Sequence, residues 1–260
     1  MKTEPPIFFK DLERPFVFGH RGYNARALEN TIGSFDLCRT HGIRGIELDV
    51  HMCKSGEIVV IHDHNLFRLA KTDATVEQLP WDTLKDLTLR RDDEEGRIPL
   101  LEQVFSRYGN SFYYDIELKL NSVAPTGIIE KTLDLIDRYD LADHVMISSF
   151  NPFILRAWNR KTDNAFSSGI IYSRSDDVPW ILHNGQGRFI ANPTYMKPHH
   201  SLIDRNLMGR LHDRNKFPIV AWTVNTKDEC ERLLEFDIDG FISDDPLEVI
   251  HTVRASKGRG

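Results

Sequence analysis

Cysteine is scarce in this chain: Cys38, Cys53 and Cys230 are the only three in 260 residues, odd in number and widely separated. That excludes a disulfide framework and a cysteine-based zinc site, and it reads as free thiols in a reducing compartment. Long apolar runs are missing too. None exceeds about five residues, against the ~20 that a membrane-spanning helix needs. No basic run stands out before the last few residues, and the net charge is −6. Duplex binding needs clustered phosphate-neutralising cations, so nucleic acid is excluded as the main partner. Met1 to Pro15 mixes Lys, Glu, Asp and Pro with two Phe and lacks the basic-then-apolar order of a secretory leader. A cytoplasmic protein with no membrane span is therefore expected. No internal repeat or low-complexity tract is visible.

What is present suits one large α/β domain. The composition is 40% apolar and 28% charged, and a parallel α/β barrel typically has ~250 residues. Short β-branched or aromatic runs predict strands at Phe16–Gly19, Gly45–Val50, Ile58–His62, Phe112–Lys119, His144–Phe150, Ser168–Tyr172, Arg188–Asn192, Pro218–Val224 and Gly240–Ser243. Helices are expected to begin near Glu29, Leu100, Ser122, Pro152, Pro179, Ser201, Thr226 and Pro246. Such alternation indicates βαβ units around a parallel sheet. The expected architecture is a (β/α)₈ TIM-type barrel spanning residues 1–260.

The ninth strand has a local explanation. Only seven residues separate Val50 from Ile58, with Ser55–Gly56 as the turn, too few for a parallel crossover. A β-hairpin after the second barrel strand is expected, with facing residue numbers summing to about 111, which sets His62 roughly opposite Asp49. Residues 65–98 break the βα rhythm and read as a small insertion on the catalytic rim, a lid or specificity element. Residues 256–260 read as a disordered tail.

Charged side chains recur at alternate strand positions. Glu47 and Asp49 share one face of their strand, with Ile46, Leu48 and Val50 on the other. Asp115, Glu117 and Lys119 repeat the pattern, with Ile116 and Leu118 opposite. Inside a barrel such charges are costly unless paired or metal-bound. Two strands directing carboxylates into one mouth make an oxygen-rich site for a hard divalent cation. Solvated outward-facing strands would carry the same alternation. His20, Arg21 and Gly22 follow the first strand, where barrel active sites are built; Arg21 suits bidentate phosphate binding. His62 and Asp63 end the hairpin. Histidine suits proton transfer near neutrality. The chain has eleven His, and His41, His51, His144, His183, His212 and His251 carry no motif. Phe150 and Trp222, at later strand ends, could meet a substrate or simply fill the barrel top, and His199 and His200 fall past the seventh strand.

The ordered series His20-Arg21-Gly22, Glu29-Asn30-Thr31, Glu47-x-Asp49, His62-Asp63 and Glu117-x-Lys119 resembles the glycerophosphodiester phosphodiesterase family. Weaker agreements follow at Ser148-Ser149-Phe150, Trp222-Thr223-Val224-Asn225 and Asp239-Gly240-Phe241-Ile242-Ser243-Asp244, so the likeness runs from about residue 16 to 250. The resemblance implies a (β/α)₈ barrel with its site at the carboxyl ends of the strands. It implies a divalent cation, Mg²⁺ or Ca²⁺ with Mn²⁺ also compatible, on Glu47, Asp49 and Glu117. It implies His20 and His62 as acid and base, with Arg21 and Lys119 contacting the phosphate of a small glycerophosphodiester. Trp222 is a further candidate substrate contact. Leu28 stands where the family usually has Pro, and the stretch after Arg68 departs from the usual pattern. Two other readings are a phosphodiesterase of lysophospholipids and a non-catalytic binding barrel. The metal triad and paired His weigh against the second.

Overall fold

The computed structural model describes Phe8 and residues 12–120, 127–176 and 178–258. In chain order the elements are β1 (Phe16–Gly19), α1 (Ile32–Thr40), β2 (Gly45–Met52), β3 (Ile58–Val60), α2 (Phe67–Ala70), α3 (Trp81–Leu84), β4 (Leu89–Arg91), β5 (Glu94–Gly96), α4 (Leu101–Tyr108), β6 (Tyr113–Leu118), α5 (Ile128–Arg138), β7 (Val145–Ser149), α6 (Pro152–Lys161), β8 (Ser167–Tyr172), α7 (Arg188–Ala191), β9 (Tyr195–Pro198), α8 (Arg205–Met208), β10 (Val220–Ala221), α9 (Lys227–Leu234), β11 (Gly240–Ser243) and α10 (Pro246–Lys257).

Eight parallel strands run in the order β10-β11-β1-β2-β6-β7-β8-β9. Parallel bridges Met196↔Ile219 and His199↔Trp222 join β9 to β10, so the sheet returns on itself as a barrel. The period of two then sorts the side chains. Ile46, Leu48 and Val50 of β2 and Tyr114, Ile116 and Leu118 of β6 join the large apolar layer between strands and helices. Phe18, Met146, Tyr195, Val220 and Ile242 form a separate buried cluster, packed by Phe8, Phe16, Tyr113 and Trp222. Helix starts are written locally. Thr31 and Thr226 make capping boxes at α1 and α9, and Asn151-Pro152 and Asp245-Pro246 supply a cap and an N-terminal proline at α6 and α10.

β3 pairs antiparallel with β2 through Val50↔Val60 and Met52↔Ile58, a register sum one lower than the turn alone suggested. The amide of Ile61 donates to the carbonyl of Asp49 at 3.0 Å, so His62 lies one step beyond that residue. Residues 65–98 form two short helices and the β4–β5 hairpin. They bury their own cluster, centred on Leu66, Leu69, Val76, Leu84 and Leu89, against Val59 and Ile61 of the β2–β3 hairpin region.

Some expectations need correction. Arg188–Asn192 is not a strand: Arg188–Ala191 is one helical turn ending at Asn192 in the left-handed region, and the strand is Tyr195–Pro198. Thr194-Tyr195-Met196-Lys197-Pro198 offers little apolar alternation, whereas Phe189-Ile190-Ala191 offers more, so local pattern favoured the wrong segment. The helix expected near Ser122 begins at Ile128, and residues 121–126 lie outside the described residues. Ser256 and Lys257, expected in a disordered tail, complete α10; residues 259–260 lie outside the described residues.

Candidate active site

Glu47 and Asp49 of β2 face Asp115 and Glu117 of β6 in register. All four are at most 6% exposed. Carboxylate oxygens of Glu47, Asp49 and Glu117 lie within 4.8 Å of one another. Two lysines offset this charge. Lys119 Nζ lies 2.6 Å from Glu117 Oε1 and 3.0 Å from Asp49 Oδ1. Lys197 Nζ, at the end of β9, lies 2.9 Å from Asp115 Oδ2 and 3.9 Å from Glu47 Oε1. Burial would push Asp49 up, but the charges of Lys119, His62 and Arg21 and a hydrogen bond from Asn30 outweigh it and hold Asp49 well below the usual carboxylate range. Burial and the charge of Asp49 push Glu47 well above it. Three buried carboxylates, one driven toward its neutral form by burial and by its neighbour's charge, are a donor set that fits a hard divalent cation.

The backbone is shaped around this cluster. Arg21 sits at φ 54° and Gly22 at φ 85°; a Cβ on Gly22 would stand 2.3 Å from Ser34 Oγ, so only glycine fits. The turn aims the Arg21 amide at Glu47 Oε2 (3.1 Å) and its guanidinium at Glu29 Oε1 (2.7 Å) and Asp49 Oδ2 (3.4 Å). Asn30 Nδ2 donates to Asp49 Oδ2 at 2.8 Å. Glu29 also accepts from both terminal nitrogens of Arg68, at 2.9 and 2.6 Å.

Each strand-end histidine is held by an aspartate. His20 Nδ1 lies 2.6 Å from Asp244 Oδ1 and its Nε2 lies 4.0 Å from Glu47 Oε2. His62 Nδ1 lies 2.7 Å from Asp63 Oδ1. A carboxylate only accepts, so in each pair Nδ1–H donates and Nε2 is left for chemistry. Burial lowers the pKa of His20, and Arg21 adds to this while Asp244 opposes it. Asp244, despite burial, is held at about 2 by its hydrogen bond from His20 and by His20's charge, and Asn24 and Asn225 also donate to it.

A small internal cavity touches His20, Arg21, Glu47, His62, Glu117 and Lys197. A larger cavity of about 700 Å³ opens beside it, lined by His62, Glu117, Lys119, Phe150, Ser173, Arg174, Leu182, His199 and Trp222, among others. Trp222 meets Phe150 edge-on at 5.5 Å, and its Nε1 donates to the Lys197 carbonyl at 2.9 Å. His199 packs on Trp222 at 5.2 Å and lines the cavity. Thus His20, His62, Glu47, Asp49, Glu117, Arg21, Lys119 and Trp222 converge at one barrel mouth. Sequence reasoning gave no role to Asp244, Lys197, Glu29 or Asn30. The position of Asp244 directly after β11 was a usable signal, whereas Lys197 was hidden by the misplaced strand. Among the described residues, none of 65–98 lines the larger cavity; that wall includes Ser173, Arg174, Ser175, Val178, Pro179 and Leu182.

An eight-stranded parallel barrel with carboxylates, cations and two aspartate-held imidazoles at the carboxyl ends of its strands defines an α/β-barrel hydrolase-type site. The sequence model of the Glycerophosphoryl diester phosphodiesterase family matches residues 20–248, and the chain belongs to that family. It is 32% identical over 246 residues to the glycerophosphodiester phosphodiesterase of Caldanaerobacter subterraneus subsp. tengcongensis, covering 93% of this chain and 98% of that one. Its fold superposes on a glycerophosphoryl diester phosphodiesterase structure from Silicibacter pomeroyi with TM-score 0.81 at 20% identity, over 92% and 93% of the chains. It also superposes on an Oleispira antarctica phosphodiesterase solved with the product sn-glycerol-3-phosphate, with TM-score 0.72 at 24% identity, over 92% and 97%. Among the described residues, no helix is long and apolar enough to cross a membrane.

Proposed function

We propose that the chain hydrolyses small glycerophosphodiesters to sn-glycerol 3-phosphate and an alcohol, by histidine acid–base chemistry with a divalent cation, Mg²⁺ or Ca²⁺. The observation that carries this reading is the pair of imidazoles, each with Nδ1 committed to an aspartate, at the mouth that holds the carboxylate cluster. Glu47, Asp49 and Glu117 would hold the cation, which when bound takes up negative charge growing on the phosphoryl oxygens. Arg21 and Lys119 bind the phosphate, and both already stand among the carboxylates. One histidine Nε2 accepts the proton of the glycerol 2-hydroxyl as that oxygen attacks phosphorus. The other donates a proton to the departing alcohol oxygen. Water then opens the cyclic phosphate with the two roles exchanged. Trp222 and Phe150 wall the larger cavity against the organic part of the substrate. Residues 65–98 form the rim of this one barrel domain and act through Arg68, which ties Glu29 to Asp63. The buried free thiols of Cys38, Cys53 and Cys230 fit a reducing, cytoplasmic setting.

The test is release of glycerol 3-phosphate from glycerophosphocholine with Mg²⁺, with Ca²⁺ and after EDTA. Activity abolished by EDTA and restored by one ion is expected. Folded protein that releases nothing with either ion overturns the substrate.

A second reading, cleavage of lysophospholipids, is favoured by one observation. Trp180 and Ile181 are 80% and 52% exposed, within the stretch whose Val178, Pro179 and Leu182 line the larger cavity. An acyl chain could lie there. A higher kcat/KM for lysophosphatidylcholine than for glycerophosphocholine would select this reading, and the reverse would reject it.

A further inference from the structure

A second cluster of metal-ligating side chains stands apart from the carboxylate triad. His51 continues the inward face of β2 two residues beyond Asp49 and is 3% exposed. His64 follows the hairpin, and Glu77 belongs to a short 3₁₀ turn, Val76–Gln78, in the rim insertion. Nδ1 of His51 and Nδ1 of His64 lie 3.1 and 3.0 Å from the same oxygen, Glu77 Oε1. The donor atoms of all three residues lie within 4.8 Å of one another.

With a neutral His51 ring, the hydrogen-bond inventory of this cluster does not close. Nε2 of His51 lies 3.2 Å from the backbone carbonyl of His62, which only accepts. Nδ1 of the same ring faces a carboxylate, which also only accepts. A neutral imidazole has one N–H for these two contacts. If Nε2–H donates to the His62 carbonyl, the Nδ1 lone pair points at Glu77, an arrangement that a cation between them resolves. The second oxygen of Glu77, Oε2, is buried with no hydrogen-bond partner among the described residues.

We propose that His51, His64 and Glu77 form a second metal site, distinct from the carboxylate triad, that takes a borderline transition-metal ion of the Zn²⁺ type. Two imidazole nitrogens and one carboxylate suit such an ion better than a hard one, and the His62 carbonyl on the far side of the His51 ring is the outer hydrogen bond that metal-bound imidazoles habitually make. The 43%-exposed side of His64 leaves the fourth position to water. The three residues come from β2, the segment after β3 and the insertion. A bound ion would therefore fasten the insertion to the barrel beside the backbone of His62. The site stands on geometry independent of the reaction proposed above.

Co²⁺ is the probe, titrated into the full chain with excess Mg²⁺ to occupy the carboxylate triad. Visible absorption of four-coordinate Co²⁺ is expected, bleached by Zn²⁺ and accompanied by slower proteolysis within residues 65–98. His64→Ala and Glu77→Gln should each weaken Co²⁺ binding on the order of 10-fold or more, with circular dichroism confirming the fold. Glu47→Gln should leave the band in place. No four-coordinate band in the folded wild-type chain, or a band that persists in His64→Ala and Glu77→Gln but disappears in Glu47→Gln, would overturn the site.

Discussion

The two histidine–aspartate pairs at the barrel mouth look alike in chemistry and differ in construction. His62 and Asp63 are adjacent in sequence, and their side chains are 33% and 24% exposed. His20 and Asp244 are 224 residues apart, and the His20 side chain is only 16% exposed. The first pair exists wherever the hairpin forms. The second requires β1 and β11 to be neighbours, through Gly19↔Ser243. Burial accordingly lowers the pKa of His20, and Asp244 is held by three donors, two of them asparagine amides. A proton carrier buried in the barrel needs a partner network supplied by the fold, whereas one at the rim can be oriented by its neighbour. The two are linked by a chain of charges: Arg21 to Glu29, Glu29 to Arg68, Arg68 to Asp63.

The sharpest test of their equivalence is removal of the rings. His20→Ala and His62→Ala should each lower turnover of glycerophosphocholine by on the order of 10²–10⁴. Near-normal turnover in either variant would strip that ring of its role. The aspartates should then separate the two regions. Asp244→Asn is expected to lower kcat by on the order of 10–100-fold, the usual scale for partners that orient a functional imidazole, and Asp63→Asn by less. Equal losses would show that burial does not matter here.

The pH profile sharpens the comparison further. Asp244 favours the protonated form of His20, so Asp244→Asn should lower the His20 pKa again and move the limb of kcat/KM that His20 controls to lower pH. A limb that stays or moves up contradicts the assignment. Stability has its own sign. Asp244 is held at about 2 in the folded chain, below its ordinary 3.8. Its contribution is complete above about pH 4 and is lost as pH falls toward 2. Asp244→Asn should be less stable than wild type at pH 7, with the gap in Tm closing toward pH 2. The smallest effect is expected from Arg68→Ala. It removes the link between the two regions at a side chain that is 45% exposed, and solvent limits such a pair to ~1 kcal/mol or less. A change of no more than a few-fold in KM, with kcat kept, should be read from initial rates; a collapse of kcat would mean the two pairs work as one unit.

Legibility followed the range of the interactions. The alternation Glu47-x-Asp49 and Asp115-x-Glu117 places those carboxylates on one face of each strand, because side-chain direction in a strand is a covalent property with period two. The hairpin was readable from its short loop to within one residue of register. β9 was not, since the four residues of Tyr195–Pro198 carry little pattern of their own and become a strand by pairing with β8. With it went Lys197, the buried cation beside Asp115 and Glu47. His51 lay in plain view at the next alternate position after Asp49, yet its partners His64 and Glu77 come from segments that only packing joins.

By itself, then, the sequence determined the parallel α/β rhythm, the capped helix starts, the inward carboxylates and the strand-end residues His20, Arg21, His62 and Lys119. Tertiary structure alone decided that Asp244 meets His20, that Lys197 neutralises the floor of the site, and that Glu77 meets His51 and His64. Those contacts depend on barrel closure and on the docking of residues 65–98, and neither leaves a trace in local periodicity.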